Sequence, residues 1–99
     1  MAKFVQIIEY RTARFADGEQ LVDRWMEETE GKRTATRSIT VQDRDRPGTY
    51  MTIVEFPSYE DAMRNSELPE TQALSEALAK LADGPPAFRN LDVVRENLT

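Results

Sequence analysis

The chain contains no cysteine and no histidine. Without cysteine there are no disulfides, no thiolate metal ligands and no thiol nucleophile. Without histidine there is no imidazole to hold a metal or haem and no Ser-His-Asp triad. No side chain then has an unperturbed pKa near neutrality, so any acid or base must be a carboxylate, a tyrosine, a lysine or the substrate itself. Long apolar runs are also missing, and no stretch approaches the roughly 20 residues that a membrane span needs. The start, Met1-Ala2-Lys3-Phe4, runs straight into a strand-like pattern with no apolar h-region or small-residue cleavage site. That points to a cytoplasmic protein without a membrane partner.

Basic charge is scarce, and the formal net charge is −5. Residues 1–50 carry nine basic and nine acidic side chains, whereas residues 51–99 carry four and nine. Phosphate contacts supply most non-specific affinity for nucleic acid, so this balance argues against such a partner. The one locally basic stretch, Lys32 to Arg46, is interrupted by Asp43 and Asp45 and reads as a solvated edge. Asp43-Arg44-Asp45 lacks further clustered ligands, so it reads as turn chemistry and no metal site is expected.

What is present is enough for one globular domain, residues 1–99, with 39% hydrophobic and 31% charged residues. Phe4 to Tyr10 is rich in β-branched and aromatic residues on both alternating faces, as a central strand requires. Asp17 with Gln20 resembles a capping box and predicts a helix whose stripe of Leu21, Val22, Trp25 and Met26 faces inward, ending at Gly31. Residues 37–43 alternate around Ile39 and Val41, and Asp45-Arg46-Pro47-Gly48 then predicts a turn with Pro and Gly in type II positions. Tyr50 to Phe56 is the third strand. Ser58 and Asp61 predict a second helix start, with Tyr59, Ala62 and Met63 in its first turns. Pro69 predicts a break near Ser66 to Leu68, followed by a helical stretch with Leu74, Ala77, Leu78 and Leu81 inward. Gly84-Pro85-Pro86 ends it, and Phe88 to Arg95 is the fourth strand through Leu91, Val93 and Val94.

Ile7-Ile8-Glu9-Tyr10 before the first helix matches Ile53-Val54-Glu55-Phe56 before the second. The chain reads as two βαβ halves, an α+β domain of the ferredoxin-like β-α-β-β-α-β kind with a four-stranded antiparallel sheet. The two matching strands belong in the sheet centre. Two helices cover one face only. The other face carries either Val5, Ile7, Met51 and Ile53, or Phe4, Ile8, Tyr10, Tyr50, Val54 and Phe56, and either set predicts a twofold homodimer, sheet against sheet.

This element order and open sheet face resemble the dimeric α/β-barrel superfamily, which includes the antibiotic-biosynthesis monooxygenase-like proteins. The resemblance runs over nearly the whole chain and rests on Phe4 to Tyr10, Glu55 to Ala62, and Asn65 to Thr71. With Gly84 to Val93, the last stretch is similar to small actinobacterial proteins. The resemblance implies a cavity between sheet and helices, and a superfamily that spans cofactor-free oxygenases, haem-degrading enzymes, lactone isomerases and proteins without known activity. Some oxygenase-like members use an amide on the first strand with a Trp and a His on or after the second helix. Gln6 matches the amide in type, the Trp position falls near Asn65 or Ser66, and the His is missing. Haem degradation is therefore disfavoured, and no cofactor is expected.

The candidate cavity residues are Gln6, Tyr10, Trp25, Tyr50, Thr52, Tyr59, Asn65 and Ser66. Gln6 and Thr52, at equivalent places in the two halves, either orient a ligand or are ordinary strand residues satisfied by internal hydrogen bonds. The three tyrosines are hydrogen-bond donors to a phenolate or oxyanion, or core residues with a wet hydroxyl. Trp25 is a core residue that can wall a cavity. Asn65 and Ser66 either cap the broken helix or line a cavity mouth. Glu9 and Glu55 occupy matching positions, where like charges crowd unless Arg11, Arg37 or Arg95 pairs with them. Two functions fit. One is a small-molecule-binding, cofactor-free monooxygenase-like enzyme acting on an aromatic or polyketide-type compound; the other is a non-catalytic dimeric ligand-binding or accessory protein.

Overall fold

The computed structural model describes residues 2–99. Its elements are β1 (Phe4–Arg11), α1 (Phe15–Glu28), β2 (Arg37–Gln42), β3 (Thr49–Phe56), α2 (Tyr59–Glu67), α3 (Pro69–Leu81) and β4 (Ala87–Asp92). The strands form one antiparallel sheet in the order β2-β3-β1-β4. The two matching segments are thus the central pair, as the ferredoxin-like reading requires. Among the described residues no helix is long and apolar enough to cross a membrane.

Local chemistry explains most boundaries. Ser58 is the N-cap of α2, its side chain accepting from the Asp61 backbone N–H at 3.1 Å. Leu68, at φ −61° and ψ 132°, is the single extended residue between α2 and α3, and Pro69 follows at the first helical position. A proline there costs no hydrogen bond, because that N–H has no partner within the helix. In the β2–β3 connection the Thr49 N–H donates to the Arg46 carbonyl at 3.1 Å across Pro47 and Gly48. Gly48 sits at φ 87°, the left-handed value that a type II turn imposes on its third residue.

Some boundaries differ from expectation. α1 begins at Phe15, so Asp17 is a first-turn residue bonded to Arg14 (2.8 Å) and not the N-cap. Nearby, the Thr12 hydroxyl accepts from the Arg14 N–H. Met26 is 44% exposed and lies off the inward stripe. β2 ends at Gln42, because the Asp43 carboxylate turns the chain by accepting from the Asp45 N–H at 2.9 Å. β4 ends at Asp92, so Val94 lies beyond the strand and is fully solvated.

The core sits at one end of the helix-facing side, where Phe4, Phe56 and Ala62 are buried and Tyr59 meets Phe4 edge-on at 5.4 Å. That contact settles which face meets the helices. Phe4, Gln6, Ile8 and Tyr10 face them from β1, and Tyr50, Thr52, Val54 and Phe56 from β3. Val5, Ile7, Met51 and Ile53 lie on the open face, joined by Ile39, Val41 and Leu91 from the edge strands. Glu9 and Glu55 are also there, but the antiparallel register sets Glu9 opposite Met51 and Glu55 opposite Val5. The two carboxylates do not crowd: Glu55 pairs at 3.6 Å with Arg37, one of the arginines the sequence offered, and Glu9 at 3.8 Å with Arg46, which was not among them.

Candidate functional site

In a close-packed two-layer domain, the helix-facing residues of the central strands would be fully buried. Here Gln6, Ile8, Tyr10, Tyr50, Thr52 and Val54 are all only half-buried. No residue of α1 or α3 is fully buried either. The helix layer leans on itself more than on the sheet: the Trp25 indole N–H donates to Thr71 Oγ1 at 3.0 Å, and Gly18 lies under Leu78, which a β-carbon at position 18 would approach to 3.5 Å. The result is accessible space over the sheet centre.

Two aromatic groups bound that space. At one end is the Phe4–Phe56–Tyr59 cluster. At the other, Phe15 of α1 stacks on Tyr50 at 4.2 Å between ring centres, and Tyr50 on Tyr10 at 5.9 Å. Phe4 and Tyr10 are six positions apart on β1, roughly 20 Å at the usual strand rise.

Polar groups lie between them. Gln6 Nε2 donates to Asn90 Oδ1 at 3.1 Å across β1 and β4, while Thr40 and Thr52 hydroxyls meet at 3.3 Å across β2 and β3. Burial pushes the Tyr10 phenol above its ordinary 10.0; the charge of Glu19 and the neighbouring Tyr50 add to this, and a hydrogen bond with Thr52 opposes it. Tyr10 is therefore held as a neutral phenol, a donor rather than a base. Among the described residues no group of three or more acidic side chains is placed to hold a metal ion.

Of the residues singled out from sequence, Gln6, Tyr10, Tyr50 and Thr52 share this surface. Gln6 and Thr52 are not neighbours, however. Gln6 lies opposite Val54 and Thr52 opposite Ile8, because the halves pair antiparallel. Trp25 lies in the seam between α1 and α3, with Arg33 over its ring at 5.7 Å. Tyr59 is 51% exposed beside the core. Asn65 is buried but committed, its Oδ1 accepting from the Thr34 N–H at 3.3 Å and its carbonyl from Leu68. Ser66 is exposed and donates to the Met63 carbonyl. Asn65 and Ser66 thus act at the helix break and do not join the sheet surface. Asn90, the partner of Gln6, has no sequence signal beyond being a polar residue on the same strand face as Phe88. Two surface clefts lie elsewhere, one at Gln42, Asp43, Arg44 and Pro47 and one between Tyr59 and Val94. The first includes no residue of the surface just described, and the second shares with it only Tyr59, at its end.

No family model matches the sequence, and no curated protein matches it either. Solved structures do match in fold. A proposed antibiotic biosynthesis monooxygenase from Caulobacter crescentus superposes with a TM-score of 0.82 at 13% identity, over 95% of this chain and 92% of that one. SnoaB, a cofactor-independent oxygenase from Streptomyces nogalater, gives 0.80 at 15% identity over 99% and 98%. Rv0793 from Mycobacterium tuberculosis gives 0.78 at 16% over 96% and 98%. The chain has the fold of the antibiotic-biosynthesis-monooxygenase-like proteins.

Proposed function

We propose that the chain binds a small organic molecule between its sheet and its helices and acts on it as a cofactor-free, monooxygenase-like enzyme. The observation that carries this reading is the sheet centre itself. It is accessible and apolar at Ile8 and Val54, it is dotted with amide and hydroxyl groups, and it ends in stacked aromatic rings. Such a surface suits a flat, oxygenated aromatic or polyketide-type compound. The fold it shares with SnoaB adds to the case. A neutral Tyr10 phenol would hydrogen-bond to the substrate's oxygen as negative charge develops there. The substrate would supply the reducing electrons as its own enolate or phenolate, with the protein supplying position and desolvation.

One observation favours the second reading, a non-catalytic binder. Tyr10, the group of this surface whose ionisation is shifted, is shifted away from neutrality and offers no base. Oxygen uptake decides between them. The enzyme reading requires uptake, in an oxygen electrode, with an acidic polyphenolic substrate and no added cofactor, and a marked loss in Tyr10→Phe. Binding without uptake across a panel of such compounds leaves the accessory role.

The open sheet face is proposed to be covered by a second copy of the chain. Ile39, Ile53 and Ile7 form a continuous row across three strands, and flanking ion pairs mark its rim. An exposed apolar sheet face of this kind is most simply closed by a twofold axis.

A further inference from the structure

The isoleucine row of the open face, Ile39, Ile53 and Ile7, ends on β4 in a charge, Arg89, which lies opposite Ile7. Arg89 is exposed, and none of the ion pairs among the described residues includes it. One flanking row has Arg37 and Leu91 at its ends and Glu55 within it on β3; the other has Val41 and Ala87 at its ends and Glu9 within it on β1. A second copy laid on this face takes the Arg89 guanidinium out of water, which is costly unless an acceptor comes with it. Where that acceptor comes from depends on how the copy is turned. In a face-to-face pair the twofold axis runs between the sheets, and each residue meets whatever stands at its mirror position across that axis. An axis along the isoleucine row sets Arg89 on its own counterpart, like charge on like. An axis along the strands, midway between β1 and β3, sets it on Ile39. The diagonals differ. Strands are about 4.8 Å apart and alternate residues of a strand about 6.8 Å, so Arg89 and the middles of the flanking rows all lie roughly 7 Å from the sheet centre, and a diagonal axis exchanges them. The diagonal through Arg37 and Ala87 brings Arg89 beside Glu9 but sets Arg37 on its own counterpart. The diagonal through Leu91 and Val41 brings it beside Glu55 and puts no like charges together.

We infer that Arg89 pairs with Glu55 of the second copy, twice across a diagonal twofold axis, and so sets the two sheets with their strands crossed near a right angle. That crossing is one of the two arrangements in which sheets pack face to face. Glu55 has room for a second cation, because its contact with Arg37 is long, at 3.6 Å, and a carboxylate accepts several hydrogen bonds. The apolar corners Leu91 and Val41, exposed in the single chain, then lie on the axis, where each meets its own counterpart. This inference rests on the second-copy reading of the open face and adds to it an orientation and a specific pair.

The test reads the dimer dissociation constant by sedimentation velocity over a concentration series. Arg89→Glu and Glu55→Arg each create two like-charge contacts across the axis, and each should weaken the dimer about a hundredfold, roughly tenfold per contact. Arg89→Glu and Glu55→Arg in the same chain restore both pairs with their signs exchanged, and that dimer should recover to within about tenfold of the unmodified one. Arg89→Glu combined with Glu9→Arg has the same net charge but should stay as weak as Arg89→Glu alone. Should Arg89→Glu not melt cooperatively, Arg89→Gln and Glu55→Gln take over: each should weaken the dimer, and the two together should weaken it no further than either. Single changes that leave the dimer intact, an Arg89–Glu55 double variant no tighter than its singles, or recovery with Glu9→Arg instead overturns the inference and leaves the second-copy reading standing. An unmodified chain that is monomeric throughout the series overturns both.

Discussion

Replacing Ile53 by Asp places a carboxylate at the centre of the open sheet face, between Ile39 on one neighbouring strand and Ile7 on the other. Within one subunit the cost is modest, because Ile53 is half-buried and lies outside the Phe4–Phe56–Ala62 core. In a sheet-to-sheet dimer the cost is larger. Burying an isoleucine side chain fully is worth about 1.5–3 kcal/mol, and roughly half of that remains to be gained at the interface. A carboxylate left unpaired there adds at least about 2 kcal/mol more. The twofold axis counts each cost twice, so the dimer loses roughly 6 kcal/mol, about ten-thousandfold in dissociation constant. Glu9 and Glu55 at the rim raise it further, being of the same sign. Sedimentation velocity at micromolar concentration should show the unmodified chain as a dimer and Ile53→Asp as a folded monomer. A variant that still sediments as a dimer, or an unmodified chain that sediments as a monomer, refutes the reasoning.

Three further outcomes are expected. Phe4→Ala removes a ring that is 3% exposed and touches Phe56 and Tyr59, and should cost about 3–5 kcal/mol in denaturant unfolding. Ser58→Ala leaves the Asp61 N–H without its acceptor and should cost about 1 kcal/mol, seen as a lower Tm. The Tyr10 phenol titrates above its ordinary 10.0 in the folded chain, so between that value and its folded pKa the folded state holds more protons than the unfolded one. Stability should therefore fall as pH rises beyond about 10, and in Tyr10→Phe this part of the decline should vanish from urea midpoints measured against pH.

The central strand pair was legible because Ile7-Ile8-Glu9-Tyr10 and Ile53-Val54-Glu55-Phe56 are apolar on both faces, which only a covered strand tolerates. That same property hid which face meets the helices. Only Phe4 against Phe56, Ala62 and Tyr59 decides it, and the last two contacts cross between strand and helix. Reading the halves as equivalent also misled at Gln6 and Thr52. A repeat aligns residues by order, whereas antiparallel pairing reverses the order, so Gln6 found Asn90 and Thr52 found Thr40. The Leu68 break was legible from Pro69 alone. The α1 start was not, because Arg14, which no capping rule favours, holds that position while its side chain bonds to Asp17 and its N–H to Thr12.

Leu68 divides the layer above the sheet into parts with different attachments. α2 belongs to the sheet, with Ala62 in the core and Asn65 bonded to the chain entering β2. α3 belongs to α1, through Trp25 and Thr71 and Leu78 over Gly18, and to the loop that follows α1, where Lys32 bonds to Glu70 at 2.7 Å. One extended residue joins a fixed piece of roof to a piece resting on its neighbour. The α1–α3 pair touches the sheet away from that core instead, where Phe15 stacks on Tyr50 and the Thr12 hydroxyl just past β1 donates to the Leu81 carbonyl at the end of α3 (2.7 Å).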